Sequence, residues 1–145
     1  MRLTVQSDYA LRVLMYLGIH AGRLTTIEEI ARAYGISQNH LMKIVNRLAT
    51  HGFVETLRGR GGGLRLARTA ESITLGEVLR IIEDDFDIVG CFNSDDFCRI
   101  SKICRLKRAL QRALDAYLSE LDSWTLADII SNRKAILDEL QPIPI

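Results

Sequence analysis

Beyond His51 this 145-residue chain holds no histidine, and cysteine occurs only at Cys91, Cys98 and Cys104. With every histidine confined to positions 20, 40 and 51, no Ser-His-Asp or Cys-His pairing is visible, which excludes the hydrolytic chemistry such groupings support. Long hydrophobic runs are missing as well. Stretches such as Val13–Ile19 fall far short of the roughly 20 apolar residues needed to cross a bilayer. No signal-peptide pattern opens the chain, so a cytoplasmic protein is expected. In that compartment thiols stay reduced, which directs the cysteines toward metal or redox chemistry rather than a structural disulfide. Repeats, low-complexity segments and flexible linkers are also absent, and 48% hydrophobic with 26% charged residues is ordinary for one compact domain.

The net charge of +1 conceals an asymmetry. Residues 1–70 carry ten Lys/Arg against four Asp/Glu, whereas residues 71–145 carry nine against fourteen. A basic half beside an acidic half is the footprint expected when one part meets phosphates and the other meets solvent or protein. The chain therefore divides into a DNA-binding region, 1–70, and a second region, 71–145, within one compact domain.

Apolar spacing predicts a helix over 7–20, amphipathic and capped by Ser7. Thr26-Ile27-Glu28-Glu29 has the form of a capping box opening a short helix to Tyr34, with Gly35 as its turn. Ser37 is placed to cap a third helix, in which Leu41, Ile44, Val45 and Leu48 make one buried stripe opposite Gln38, Asn39, His40, Lys43, Asn46 and Arg47. After Gly52, two short β-like runs, 53–57 and 64–66, flank the turn Arg58-Gly59-Arg60-Gly61-Gly62-Gly63. A further helix is expected from Thr74 to about Asp84, then an aperiodic stretch from Phe86 to Ile103. A long helix follows from about Cys104, with Leu106, Ala109, Leu110, Ala113, Leu114, Tyr117, Leu118 and Leu121 as its stripe. So long a stripe needs a partner, and a two-fold dimer covers it most simply. A short helix over 125–131 and a tail marked by Pro142 and Pro144 complete the chain. The expected class is mainly α, a winged helix-turn-helix with a two-stranded wing and a long C-terminal dimerisation helix.

A recognition helix fits the major groove, and residues near its N-terminus reach base edges. Gln38, Asn39, His40 and Lys43 occupy those positions, where Gln and Asn suit adenine and Lys suits guanine. Arg58 and Arg60 project from a glycine-rich turn that lets the backbone approach DNA, and arginine suits a narrow minor groove. That turn lacks the lysine and the serine or threonine of a nucleotide-binding loop, so nucleotide binding is set aside.

Three cysteines are one short of a tetrahedral site, and their gaps of six and five residues exceed those of structural zinc knuckles. Wider spacing suits an iron–sulfur cluster. The polar stretch Asn93-Ser94-Asp95-Asp96 argues against cysteines used as small hydrophobes. Cys104 falls at a helix start near Arg105, Lys107 and Arg108, with Arg99 and Lys102 close by, surroundings that suit a thiolate and balance an anionic cluster. For the fourth ligand, Asp95 and Asp96 are local candidates, and Asp8, His20, His40 and His51 are remote ones.

Taken together, the opening Met1–Thr4 with Asp8-Tyr9-Ala10-Leu11, the stretch Ser37–Val45, the wing Arg58–Gly63 and Cys104-Arg105-Leu106-Lys107 resemble the winged-helix repressors that carry an iron–sulfur cluster, and among them the nitric-oxide-sensing branch. The resemblance covers nearly the whole chain. It implies a homodimer with one cluster per subunit, 4Fe-4S favoured over 2Fe-2S, held by Cys91, Cys98, Cys104 and Asp8 of the partner subunit. It also implies that the long helix is the dimer seam, that the DNA target is a palindromic operator and that nitric oxide is the signal. The related branch that governs cluster assembly has a histidine three residues after its last cysteine. Lys107 stands there instead, which favours Asp8. Two rival functions remain: a regulator responding to iron or cluster status, and a cluster-bearing redox protein without operator binding.

Overall fold

The computed structural model describes residues 2–94 and 98–140. Asp95, Asp96 and the tail prolines Pro142 and Pro144 lie outside the described residues. Seven α-helices and one antiparallel pair of strands follow in the order α1 Val5–Ile19, α2 Ile27–Tyr34, α3 Gln38–Thr50, β1 Val54–Leu57, β2 Gly63–Leu66, α4 Leu75–Ile82, α5 Arg105–Asp122, α6 Leu126–Ile129 and α7 Arg133–Glu139. The fold is thus mainly helical, with a winged helix-turn-helix in α1 to β2 and a long helix, α5, toward the C-terminus.

Helix α1 is the hub, packing on α3, α4, β2 and α6. Ser7, Ala10, Val13, Leu14, Tyr16, Leu17 and Ile19 are all buried, so the helix is enclosed on most sides rather than one-faced as its spacing predicts. Its cap is also different. Ser7 is buried inside the first turn, and its amide donates to the Thr4 hydroxyl at 3.3 Å, so Thr4 is the N-cap. At α2 the Thr26 hydroxyl accepts from the Glu29 amide as expected, but the Glu29 carboxylate turns away to Arg23 and Tyr16 and leaves the capping box half made. Ser37 sits at the N-cap of α3 without a side-chain cap bond.

The stripe Leu41, Ile44, Val45 and Leu48 faces the core as its spacing predicts. That core runs from Ala10 through Phe53 and Leu64 to Ile73, Val78, Ile82 and Leu126, so α4 and α6 belong to the same hydrophobic cluster as the winged helix. Strands β1 and β2 pair in register Val54 with Leu66 through Leu57 with Gly63. Thr25 adds a bridge to Leu64, its amide donating to the Leu64 carbonyl at 3.0 Å, which ties the base of the wing to the start of α2.

Helix α4 stops at Ile82 rather than Asp84, because the chain turns extended at Glu83. Among its described residues the following stretch to Ile103 is irregular, as its lost periodicity predicts, apart from one turn of 3-10 helix at Gly90–Phe92. Helix α5 begins where expected, yet of its long stripe only Leu114 is buried. Its far end is fastened firmly: the Leu75 amide donates to the Trp124 carbonyl at 2.9 Å, the Leu126 amide to the Ile73 carbonyl at 2.8 Å, and Arg80 and Asp122 form a two-pronged ion pair. Sequence spacing places a helix over 125–131; the helix proper is Leu126–Ile129 with a complete Thr125–Asp128 capping box, and a separate α7 follows.

Candidate DNA interface and cysteine segment

Burial of one stripe of α3 dictates what the opposite stripe presents. Gln38, Asn39, His40, Lys43 and Asn46 are exposed, and none of their side chains has a hydrogen-bond or ion-pair partner among the described residues. Arg47, which spacing places with them, is instead drawn inward. Its guanidinium donates to the Ile81 carbonyl at 2.8 Å and the Gln6 side chain at 3.3 Å and reaches Asp84 at 3.4 Å, clamping α3 to the end of α4. His40 and Lys43 also wall a mostly apolar groove of about 650 Å³ with Val5, Gln6, Tyr9, Ile44, Arg47 and Ile82.

The wing turn requires its glycines. Gly59 and Gly61 hold φ of 93° and 76°, and a Cβ on Gly62 would lie 2.1 Å from the Leu57 carbonyl oxygen. Arg58 and Arg60 are exposed on this turn and unpaired among the described residues, whereas Arg65 on β2 is neutralised by Glu55 at 2.7 Å. Among the described residues of the basic half, the unpaired cations are thus Lys43 on α3, Arg58 and Arg60 at the wing tip, and Arg2 ahead of α1.

A brace that spacing did not reveal supports this surface from behind. Tyr16 donates to Glu29 at 2.8 Å, and Arg23 grips the same carboxylate. The Arg23 hydrogen bond is the main reason the Glu29 carboxyl is held down at about 2, while burial, aided by Glu29, pushes the Tyr16 phenol up to about 12. His20 stacks on Tyr16 at 4.3 Å and bonds the Tyr16 carbonyl through Nδ1. His51 likewise bonds the Arg47 carbonyl. Of the three remote histidine candidates, His20 and His51 thus have local structural partners, whereas His40 has none among the described residues.

In the second region the three cysteines are free, Cys98 exposed and Cys91 and Cys104 half-buried. Cys104 is the N-cap of α5, its sulfur accepting from the Lys107 amide at 3.4 Å. Six cations and no acid lie between Arg99 and Arg112. Among the described residues no three Cys, His, Asp or Glu side chains converge as a metal cage. In donor chemistry the segment nonetheless fits a thiolate-held iron–sulfur group: three free sulfurs on one stretch in cationic surroundings, none of them consumed by a disulfide. Asp8 stands in the first turn of α1, half exposed, paired with Arg12 at 3.1 Å, and among the described residues it belongs to no group of three potential metal ligands. Just before it, the Thr4 amide and hydroxyl donate to Glu83 at 2.9 and 3.1 Å, so the start of α1 is pinned to the chain that leads from α4 to Cys91.

A profile of protein families settles the class: Rrf2, described as an iron-dependent transcriptional regulator, matches residues 3–132. The chain belongs to the Rrf2 family. It is 50% identical over 143 residues to the HTH-type transcriptional regulator NsrR of Bacillus subtilis, spanning 97% of this chain and 98% of that one. It is equally 50% identical over 138 residues to the regulator of the same name from Bacillus licheniformis, 94% and 96% of the two chains. Among solved structures, T. potens IscR superposes with a TM-score of 0.75 at 24% identity over 100% of this chain and 94% of that chain. CymR, the global cysteine regulator of B. subtilis, superposes at 0.67 and 24% over 91% and 98%. Membership of the Rrf2 family makes this protein a DNA-binding transcriptional regulator rather than an enzyme. Among the described residues no helix is long and apolar enough to cross a membrane.

Proposed function

We propose that this Rrf2 protein is a cytoplasmic homodimeric repressor that holds an iron–sulfur cluster, 4Fe-4S in preference to 2Fe-2S, and releases a palindromic operator when nitric oxide reaches that cluster. The observation that carries the proposal is the trio of free cysteines on the segment that feeds α5, on a body whose α3 and wing present unpaired cations. Cys91, Cys98 and Cys104 supply three ligands, and Asp8 of the partner subunit supplies the fourth. If bound there, an iron–sulfur cluster would supply iron able to react with nitric oxide, held by these three thiolates and one carboxylate.

The chain's own residues explain how such an event reaches DNA. Asp8 is four residues from Thr4, which Glu83 holds against the end of α4. Arg47 joins that same end, through Ile81 and Asp84, to α3. A change in what restrains α1 or the cysteine segment is thus one contact away from the clamp on the recognition helix. Gln38, Asn39, His40 and Lys43 read bases, and Arg58 and Arg60 hold the flanking minor groove. Half-sites of a dimer lie about one DNA turn apart, roughly 34 Å, so a small shift of either helix breaks simultaneous binding.

The test is an absorption spectrum of protein purified without oxygen, then titration with nitric oxide while operator binding is followed. A thiolate-to-iron band that bleaches as DNA is released is the expected result. Protein that takes up no iron, or whose DNA affinity ignores the gas, overturns the proposal. Asp8→Ala is expected to weaken cluster retention and the gas response together. The family description as iron-dependent favours one further reading, iron supply as the signal. Release by chelation but not by nitric oxide would establish it.

A further inference from the structure

We propose that Met42 is a specificity-determining residue that reads the 5-methyl group of thymine in the operator, a proposal that rests on α3 being the helix that enters the major groove. Met42 is the fifth residue of α3, one turn after Gln38 and one turn before Asn46, beside Lys43. Its sequence neighbours Leu41 and Ile44 are 0% and 6% exposed, yet Met42 is 48% exposed and contributes nothing to the core. Every other fully outward residue in the first two turns, Gln38, Asn39, His40 and Lys43, is polar. A single large apolar side chain in that row exposes hydrocarbon to water for no structural return. On a surface that lays itself against base edges, one apolar group awaits it, since thymine alone carries a methyl in the major groove. Methionine suits the role because it is unbranched, polarizable and able to adjust its terminal methyl to a small target. The polar neighbours fix which edge is read by hydrogen bonds, and Met42 adds discrimination of thymine from cytosine at an adjacent position.

The experiment begins by selecting a high-affinity duplex from a random pool with the intact protein, then replaces each thymine pair by uracil, which removes only the methyl group. Wild-type protein is expected to lose about fourfold in affinity per contacted thymine, the factor that losing burial of one methyl gives. Met42→Ala and Met42→Gln are expected to bind the thymine and uracil duplexes alike, while Met42→Leu keeps most of the preference. Because Met42 is exposed and methionine, alanine, glutamine and leucine all favour helices, circular dichroism of the variants should match wild type. Uracil-insensitive binding by wild type, or an undiminished thymine preference in Met42→Ala, overturns the proposal. Failure of the underlying reading is seen separately: Asn39→Ala and Lys43→Ala would then leave affinity and sequence preference unchanged.

Discussion

The two regions of this molecule are built to different degrees of completion. From α1 to α4, each element gives side chains to one core, and the surface proposed to meet DNA is held in place by the buried stripe of α3, the Thr25 bridge under the wing, the Arg47 clamp and the Tyr16–Glu29–Arg23 brace. The region from Phe86 through α5 is the opposite. Ile100, Ile103 and Leu106 are 53%, 81% and 66% exposed, and an 18-residue helix buries one side chain. The first region completes itself. The second presents free thiols and uncovered apolar surface, which under the proposed function a metal cluster and a second chain would cover. That division suits a sensor, in which the reader stays rigid and the part that answers to a signal depends on something that can be lost.

The contrast is broken most severely at Phe53, fully buried beneath Arg68, whose guanidinium lies 5.4 Å from the ring centre. Phe53→Ala is expected to cost about 3–5 kcal/mol, a large share of a typical total of roughly 5–15 kcal/mol, read as a lowered urea midpoint and lost operator binding. A smaller effect is expected where the regions join. A Cβ on Gly76 would lie 1.9 Å from Asp122 Oδ1 and 2.8 Å from Arg80 Nη1, so Gly76→Ala must displace the ion pair that fastens α5 to α4. The expected cost is about 1–3 kcal/mol by denaturation, and much of it should vanish when Asp122→Ala is introduced alongside.

The same contrast decides what was legible in the sequence. Leu41, Ile44, Val45 and Leu48 were readable as core because a chain that buries a helix face within itself prints the 3.6-residue period. Cys104 at the start of α5 was readable from the change between aperiodic and periodic spacing. The stripe of α5 is equally periodic, yet all but Leu114 of it stays uncovered or half-covered, because periodicity records that a face is to be buried and not by which molecule. Arg47 was misplaced for a different reason: its position on the α3 wheel is outward, but α4 passes close enough for a long side chain to fold back onto Ile81. Thr4 rather than Ser7 caps α1 because the helix begins two residues earlier than its apolar pattern suggests. Helix α7 buries no residue fully, so its periodic signal was too weak to separate it from α6. The cysteines were legible as free thiols, and among the described residues the structure does not gather them with other potential ligands into a group of three.

A milder perturbation is available through pH. Glu29 is held at about 2 against an ordinary 4.5, chiefly by Arg23, so the unfolded state takes up its proton first. The stability this adds to the reading half is complete above about pH 5 and is lost as pH falls through the interval toward 2. Unfolding midpoints of the wild type should therefore decline across that interval more steeply than those of Glu29→Gln, which has no carboxyl to protonate. Equal slopes would show that the brace contributes nothing to the rigidity of α2 and the wing base.

The smallest effect on the isolated chain should come from the second region, and it is the most informative about the comparison. Leu106 is 66% exposed at the start of α5, where Leu106→Ser removes apolar surface that the chain itself never buries. In dilute solution, where single chains predominate, unfolding should shift by no more than about 0.5 kcal/mol, as for an ordinary surface substitution. If a second copy covers that face, the same substitution should weaken self-association by about tenfold in sedimentation equilibrium, since burial of a leucine side chain is worth roughly 1.5–3 kcal/mol and serine recovers little of it. A dissociation constant unchanged by Leu106→Ser, with Ile103→Ser equally silent, would mean that this end of α5 lies outside the seam and that its exposed side chains serve only the cysteine segment.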